Sequence, residues 1–221
     1  MTRSPLRIAT LLAATLAAWQ PSIALANPED TQFWVVGFAR SKVGDELYLT
    51  VDTSYRWRDP EFGADQQTFR VSVEKALDDE LRIGGGMSLF QTGGVSEYRP
   101  HQQFRYAARG LDLRTRFEQR WFDGADQVEL RIRQRVQYTQ PIAPRLEVVG
   151  SAEWFGILQS RRESGRRGTE QVRNIVGLSY QVSERLDIAP SYMLQITPRA
   201  GAPDAISHTV ACLDQTPRLE P

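Results

Sequence analysis

Between residues 111 and 138, charged and apolar side chains alternate almost without exception. Such alternation is typical of a β-strand, because successive side chains there point to opposite faces. A break at residues 123–126 divides the stretch into a hairpin with one apolar and one charged face. The charged face carries Asp112, Arg114, Arg116, Glu118, Arg120, Glu129, Arg131, Arg133 and Arg135. So many aligned charges favour a barrel with lipid outside and water inside.

Similar period-two segments, roughly 10 to 13 residues long, recur along most of the chain. A tilted strand needs about this length to cross a membrane. We expect strands at residues 33–42, 46–57, 66–76, 80–90, 98–109, 111–122, 128–139, 145–157, 171–182, 186–197 and 205–213. The fold class predicted from these segments is all-β, an antiparallel up-and-down transmembrane β-barrel of ten to twelve strands.

The N-terminus has the features of a cleaved signal peptide. Arg3 and Arg7 precede an apolar stretch, and Ala24-Leu25-Ala26 resembles a cleavage site. We therefore divide the chain into a signal peptide (1–26), a barrel domain (27–213) and a polar tail (214–221). No later run of about 18 apolar residues could cross a bilayer as a helix. These observations predict export through the periplasm to the bacterial outer membrane.

The connections between the predicted strands alternate between short and long. Outer-membrane barrels place short turns in the periplasm and longer loops outside. This rule puts the connections at 58–65, 91–97, 123–127, 158–170 and 198–204 outside. Residues 33–42 would then start from outside, which is awkward for an exported chain. They form an extra segment in the periplasm or lumen, or belong to a 12-stranded barrel with one strand unidentified.

The composition argues against several classes of function. With 27 basic and 27 acidic residues, the chain has no net charge to attract nucleic acid. The lone Cys212 excludes an internal disulfide, and two histidines, His101 and His208, do not provide a zinc-type spacing. We expect no cofactor and no metal site.

The polar parity predicts a charge network inside the barrel. Arginine suits such a network because its planar fork binds carboxylates bidentately. The predicted members are Glu97, Arg99, Arg105, Arg114, Arg116, Glu118, Arg120, Glu129, Arg131, Arg133, Arg135, Glu147 and Glu153. The favoured interpretation is a salt-bridged plug in a structural or envelope-binding barrel. The alternative is a narrow, anion-preferring passive pore.

A lipid hydrolase is a second alternative, since nucleophilic catalysis can use a Ser–His pair. His101 shares the lumen parity, and His208 cannot pair directly with its neighbour Ser207 because they face opposite ways. No catalytic residue is therefore predicted. Gly84-Gly85-Gly86 lacks the lysine and helix of a phosphate loop and indicates a bend or a close backbone approach instead.

Four arginines, Arg161, Arg162, Arg166 and Arg167, cluster in the longest predicted loop. They are candidates for binding the phosphates of outer-leaflet glycolipid, with a merely solvated loop as the alternative. The expected partners are therefore outer-membrane lipids, including lipopolysaccharide-type glycolipid, and the barrel assembly machinery during insertion.

Several segments resemble the bacterial domain-of-unknown-function family 2490. They are Arg114-Thr115-Arg116-Phe117-Glu118-Gln119-Arg120, Arg131-Ile132-Arg133-Gln134-Arg135, Tyr98-Arg99-Pro100-His101-Gln102-Gln103 and Ala152-Glu153-Trp154-Phe155. The resemblance covers about residues 32–213. It implies an outer-membrane β-barrel of unestablished activity and supplies no catalytic residues. The polar, proline-bearing residues 214–221 depart from the terminal aromatic strand that such barrels usually have.

Overall fold

The computed structural model describes residues 29–184 and 186–212, so the predicted signal peptide and tail lie outside the described residues. The described chain forms twelve strand segments. They are β1 (Glu29–Gly44), β2 (Leu47–Trp57), β3 (Gln66–Ala76), β4 (Leu81–Thr92), β5 (Val95–Ala108), β6 (Leu111–Phe122), β7 (Glu129–Ala143), β8 (Leu146–Gln159), β9 (Gly168–Ser183), β10 (Leu186–Ile188), β11 (Pro190–Thr197) and β12 (Ala205–Cys212).

The segments close into one barrel. Each of the strands from β1 to β9 pairs with the next, and β11 pairs with both β9 and β12. β10 and β11 share one register against β9 and are interrupted at Ala189, so they form a single crossing. The barrel therefore has eleven strands, within the predicted range.

Closure between β1 and β12 is parallel, with Glu29 opposite Ile206 and Val35 opposite Cys212. This pairing decides the place of the segment that the sequence left open. β1 is a strand of the wall, neither an extra segment in the lumen or periplasm nor a strand of a 12-stranded barrel. Because the two strands run in the same direction, an odd number of strands closes the cylinder. The barrel is up-and-down and antiparallel everywhere except at this seam.

Two predicted connections are shorter than expected. The predicted 91–97 loop is a two-residue turn at Gly93 and Gly94, whose positive φ values of 55° and 82° suit a tight hairpin. The predicted loop at 158–170 shrinks because β8 extends to Gln159 and β9 begins at Gly168. We call the end with connections 58–65, 93–94, 123–128, 160–167 and 198–204 the loop rim, and the opposite end the turn rim.

The distribution of side chains is inside out relative to a soluble protein. Exposed apolar residues such as Phe69, Trp121, Val136 and Val210 stand on the outward parity. Charged residues of the opposite parity are buried; Glu118, for example, is 1% exposed. A soluble ligand-binding barrel has the reverse arrangement, so this pattern identifies a membrane barrel.

Gly84 and Gly86 lie where β4 passes close to β3. A Cβ atom at Gly84 would lie 2.2 Å from the carbonyl oxygen of Val73, and one at Gly86 would lie 2.1 Å from that of Val71. The predicted close backbone approach is confirmed. Among the described residues there is no helix long and apolar enough to cross a bilayer.

Candidate functional site

The buried charges concentrate on one wall of the lumen, formed by β5 to β9. We call the eight arginines there the arginine cluster: Arg99, Arg105, Arg114, Arg116, Arg120, Arg131, Arg133 and Arg135. Period-two alternation aims them all inward, and the antiparallel register places Arg116 opposite Arg133 and Arg114 opposite Arg135. Like charges directly opposed on one face repel, so acids must lie diagonally between them.

Two glutamates at the centre of the cluster supply that compensation. Glu118 accepts from Nε of Arg131 at 2.7 Å and from Nη1 of Arg133 at 2.9 Å. Glu153 accepts from Nη2 of Arg133 at 2.8 Å and from Nη2 of Arg114 at 2.7 Å. Arg133 therefore joins the two acids into one network. These charge-assisted bonds satisfy groups that would otherwise be costly to bury.

Further acids complete the network toward the two rims. Glu97 accepts from Nε of Arg120 at 2.6 Å and from Nε of Arg99 at 2.7 Å, while Glu129 accepts from Arg120 at 2.5 Å. Toward the turn rim, Asp112 joins Arg105 and Arg135, the latter at 2.8 Å.

Glu170 enters the lumen because of an irregularity in β9. The register shifts so that Gln171 pairs with Phe155 and Thr169 with Gly156, which leaves Glu170 as the extra residue of a bulge. Its carboxylate lies 3.0 Å from Nη1 of Arg120 and 2.7 Å from Nη1 of Arg131. The sequence pattern predicts a loop at Glu170, because no sequence pattern marks a bulge.

The ring of Phe155 lies among the guanidinium groups and is fully buried. The Cζ atoms of Arg133, Arg173 and Arg131 lie 4.5, 4.7 and 5.2 Å from its centroid. Cations over an aromatic face are attracted to its quadrupole. The parity that Phe155 shares with Glu153 predicts its inward position, but nothing in the sequence indicates that guanidinium groups surround its ring.

A cavity of about 440 Å³ separates the arginine cluster from the opposite wall. It extends along β1 from Trp34 to Arg40, and from Thr50 of β2 to Arg58 at the start of the 58–65 connection. At about 3.3 Å per residue and a tilt near 40°, this is roughly 20 Å of barrel height. Thirteen arginines and four carboxylates of the described residues line the cavity. Its wall is therefore strongly cationic.

Two arginines outside the cluster have amide partners in place of carboxylates. Arg56 donates from Nε to the side-chain oxygen of Gln32, and Arg173 donates from Nε to Oε1 of Gln195 at 3.0 Å. Neither forms an ion pair with a carboxylate among the described residues. Both guanidinium groups lie near the ring of Trp34, a lumen residue that the sequence analysis did not single out.

One acid outside the membrane-spanning strands anchors the 58–65 connection at the mouth of the cavity. Asp65 accepts from the backbone nitrogen of Arg58 at 3.0 Å and from the hydroxyl of Tyr55 at 2.9 Å. The bond from the Arg58 amide, followed by that from Tyr55, holds the pKa of Asp65 below its ordinary value. Arg58 itself lines the cavity, so this anchor positions a cation at the loop rim.

The structure brings most of the predicted network together. All predicted arginines of the network take part in these contacts, and so do Glu97, Glu118, Glu129 and Glu153. Arg116 differs from the others because its main partner is an amide: its Nε and Nη2 donate to Oε1 of Gln103 at 2.9 and 2.6 Å. Glu147 lies apart from the cluster, one residue from the start of β8 at the turn rim. Besides Glu170, the structure adds Arg40, whose guanidinium lies 3.3 Å from the carboxylate of Glu74.

Neither histidine is set up for nucleophilic catalysis in the described part of the chain. His101 points inward, and its Nε2 lies 3.3 Å from Oγ of Ser72, while its buried Nδ1 has no hydrogen-bond partner. A catalytic base needs a third group to orient the ring, and Nδ1 would be the place for it. Nδ1 of His208 lies 2.5 Å from the hydroxyl of Tyr192.

Two of the four loop arginines contact neighbouring loop-rim residues. The Cζ atom of Arg161 lies 4.6 Å from the centroid of the Phe122 ring, and Nη1 of Arg166 donates to the carbonyl of Pro198 at 2.8 Å. Arg162 and Arg167 are exposed.

Solved structures with a similar fold are outer-membrane porins. The KdgM porin is 12% identical, covers 75% of this chain and 88% of its own, and gives a TM-score of 0.51. The NanC porin is 17% identical, covers 76% and 89%, and gives a TM-score of 0.50. At these identities the likeness concerns the fold alone.

A relative by sequence is an uncharacterised protein of Methylorubrum extorquens. It is 25% identical over 186 residues, which are 78% of this chain and 81% of the relative. The family model described as "Protein of unknown function (DUF2490)" matches residues 31–206, which include all the charged strands described above. The chain belongs to this family of proteins of unknown function, DUF2490.

Proposed function

We propose that this protein is a narrow, anion-preferring passive channel of the bacterial outer membrane. The observation that carries the proposal is the cavity that extends over roughly 20 Å of barrel height and is lined by thirteen arginines and four carboxylates of the described residues. Rings of arginine favour anions in a pore. The porin-like fold agrees with a location in the outer membrane.

The position of the salt bridges favours a channel over a plug. Most of the network occupies the wall from β5 to β9. Among the described residues, β1 to β3 hold only the ion pairs Arg40–Glu74 and Arg70–Asp52, and the short side chains of Thr50, Ser54, Thr68 and Ser72 face the cavity beside them. These short polar side chains leave open space beside the network. The salt bridges then stiffen one wall and leave a positive surface for solutes to follow.

Planar-bilayer recordings test the proposal. Insertion is first verified by heat-modifiable migration. In a gradient of potassium chloride, the reversal potential should then lie closer to the equilibrium potential of chloride than to that of potassium. Arg116→Gln removes a lumen cation whose main partner is an amide, and it should shift that potential toward zero. Lys75→Gln removes an exposed outward cation near the turn rim and should leave the potential unchanged.

Inserted protein that never conducts would overturn the channel and favour a plugged structural barrel. Conductance that selects cations would overturn the preference for anions. Equal effects of Arg116→Gln and Lys75→Gln would mean that the lumen charge does not control selectivity.

A further inference from the structure

Trp34 of β1, Arg56 of β2 and Arg173 of β9 form a group in the lumen beside the arginine cluster. Trp34 and Arg56 face each other directly across β1 and β2. The Cζ atoms of Arg56 and Arg173 lie 5.4 and 5.7 Å from the centroid of the Trp34 ring. All three residues line the cavity. One indole therefore holds two guanidinium groups beside the open space.

One buried hydrogen-bond donor of this group has no acceptor. Nε1 of Trp34 is buried and has no hydrogen-bond partner among the described residues. Arg56 and Arg133 repel the positive charge of Arg173, and Glu153, which lies opposite Arg173 across β8 and β9, attracts it while bonding Arg114 and Arg133. Asp30 attracts Arg56, and one oxygen of its carboxylate accepts from the amide of Gln32, while the other has no hydrogen-bond partner. A buried donor without an acceptor is costly, so Nε1 of Trp34, beside two guanidinium groups, indicates a missing acceptor.

An oxyanion would supply what this group lacks. Its oxygens accept several hydrogen bonds at once, and its negative charge relieves the repulsion between the two guanidinium groups. We propose that Trp34, Arg56 and Arg173 form a binding subsite for a single oxyanion group, a carboxylate or a phosphate, on a solute in the cavity. This subsite deepens the proposed channel function and rests on it for its physiological meaning.

Arg40 provides the matched comparison within the same cavity. It lines the same lumen from β1, but its guanidinium lies 3.3 Å from the carboxylate of Glu74. Replacing Arg40 or Arg173 with glutamine removes one positive charge from the lumen in either case. Only the second change removes a donor of the proposed subsite.

Isothermal titration of the folded barrel in detergent micelles tests the subsite, with inorganic phosphate and acetate as separate probes. We expect saturable binding of at least one probe. Arg56→Gln and Arg173→Gln should each weaken it roughly tenfold or more. Trp34→Phe keeps an aromatic ring at this position but removes the indole N–H, and it should weaken binding roughly fivefold. Arg40→Gln should leave the affinity within about twofold.

If only one probe binds, the subsite is specific for that oxyanion. If both bind, the subsite accepts a carboxylate as well as a phosphate. Absence of saturable binding of both probes would overturn the proposal, as would equal weakening by Arg40→Gln and Arg173→Gln. Heat-modifiable migration identifies variants that do not fold. If Arg56→Gln does not fold, the affinities of Arg173→Gln and Trp34→Phe still test the subsite. Because titration needs no conduction, a barrel that binds but does not conduct overturns the channel alone.

Discussion

Arg116 and Arg133 occupy directly opposed positions on β6 and β7, so two positive charges face each other across the sheet. The barrel resolves this conflict by sending the two side chains to different partners. Arg133 reaches Glu118 and Glu153, whereas Arg116 donates to the amide oxygen of Gln103. Such a strand pair would be unfavourable in isolation. It is stable in the barrel because β5 and β8 supply acceptors from either side.

Glu118→Gln should destabilise the barrel and increase its preference for anions. The substitution leaves Arg131 and Arg133 with one carboxylate partner each, and breaking a buried ion pair in this way should cost about 3 kcal/mol. Urea unfolding followed by heat-modifiable migration measures the loss, and the reversal potential measures the change in selectivity. Glu163→Gln, at an exposed loop position, is the control. An unchanged unfolding midpoint would contradict the role of Glu118 as a hub.

Phe155→Ala should raise single-channel conductance while lowering stability. Loss of the buried ring removes the surface over which three guanidinium groups lie and widens the lumen at that level. The cost of truncation should be about 3–5 kcal/mol. Phe69→Ala changes an outward ring that is 52% exposed and should not alter conductance. Conductance that is equal in both variants would show that Phe155 does not narrow the path.

Gly86→Ala should disturb the pairing of β3 with β4. The new Cβ would lie 2.1 Å from the carbonyl oxygen of Val71, so the strands must separate at a cost of about 1–3 kcal/mol. Thermal unfolding detects the change. Gly150→Ala is the matched control, because a Cβ there meets nothing within 4 Å. Equal melting temperatures for the two variants would argue against a close approach at Gly86.

Acidification should release the 58–65 connection. The pKa of Asp65 is lower in the folded protein than in the unfolded chain. The stability that the ionised carboxylate contributes is therefore fully present above the unfolded pKa of about 4, and it is lost as the pH falls through the folded pKa. Hydrogen exchange of the Arg58 amide should therefore lose protection over that acid range. Asp65→Asn, which does not titrate, should show no such pH dependence. Protection that follows the same pH course in both proteins would contradict the prediction.

Replacing Arg162 and Arg167 together with glutamine should weaken retention on vesicles that contain lipopolysaccharide. Both side chains are exposed at the loop rim, where they can pair with lipid phosphates. Arg109 and Arg145 lie at the turn rim with positive φ values of 51° and 66°, which asparagine tolerates. Replacing these two with asparagine is therefore the control. If both double variants lose the same retention, the loop arginines have no special role.

The charge network could be predicted from parity, because period-two alternation alone decides which side chains enter the lumen. Arg114 and Arg133, for instance, stand on the charged parity of their own strands, and placing both apolar parities in lipid puts both arginines in the lumen. The role of Glu170 could not be predicted, since a bulge depends on how β8 and β9 fit together. The importance of Trp34 was hidden for a similar reason: its arginine neighbours come from β2 and β9.

The sequence by itself determined the strands, their apolar and charged faces and the family to which the chain belongs, because alternation and turn residues act locally. Only the tertiary structure decided how the barrel closes, with β1 parallel to β12, and which arginines remain without a carboxylate. Those outcomes depend on registers between strands distant in the chain. Arg133 forms ion pairs with Glu118 and Glu153, whereas Arg173, although it lies opposite Glu153, donates to the amide of Gln195. The difference comes from the strand on the other side of each arginine, since β6 brings Glu118 to Arg133 and β11 brings Gln195 to Arg173.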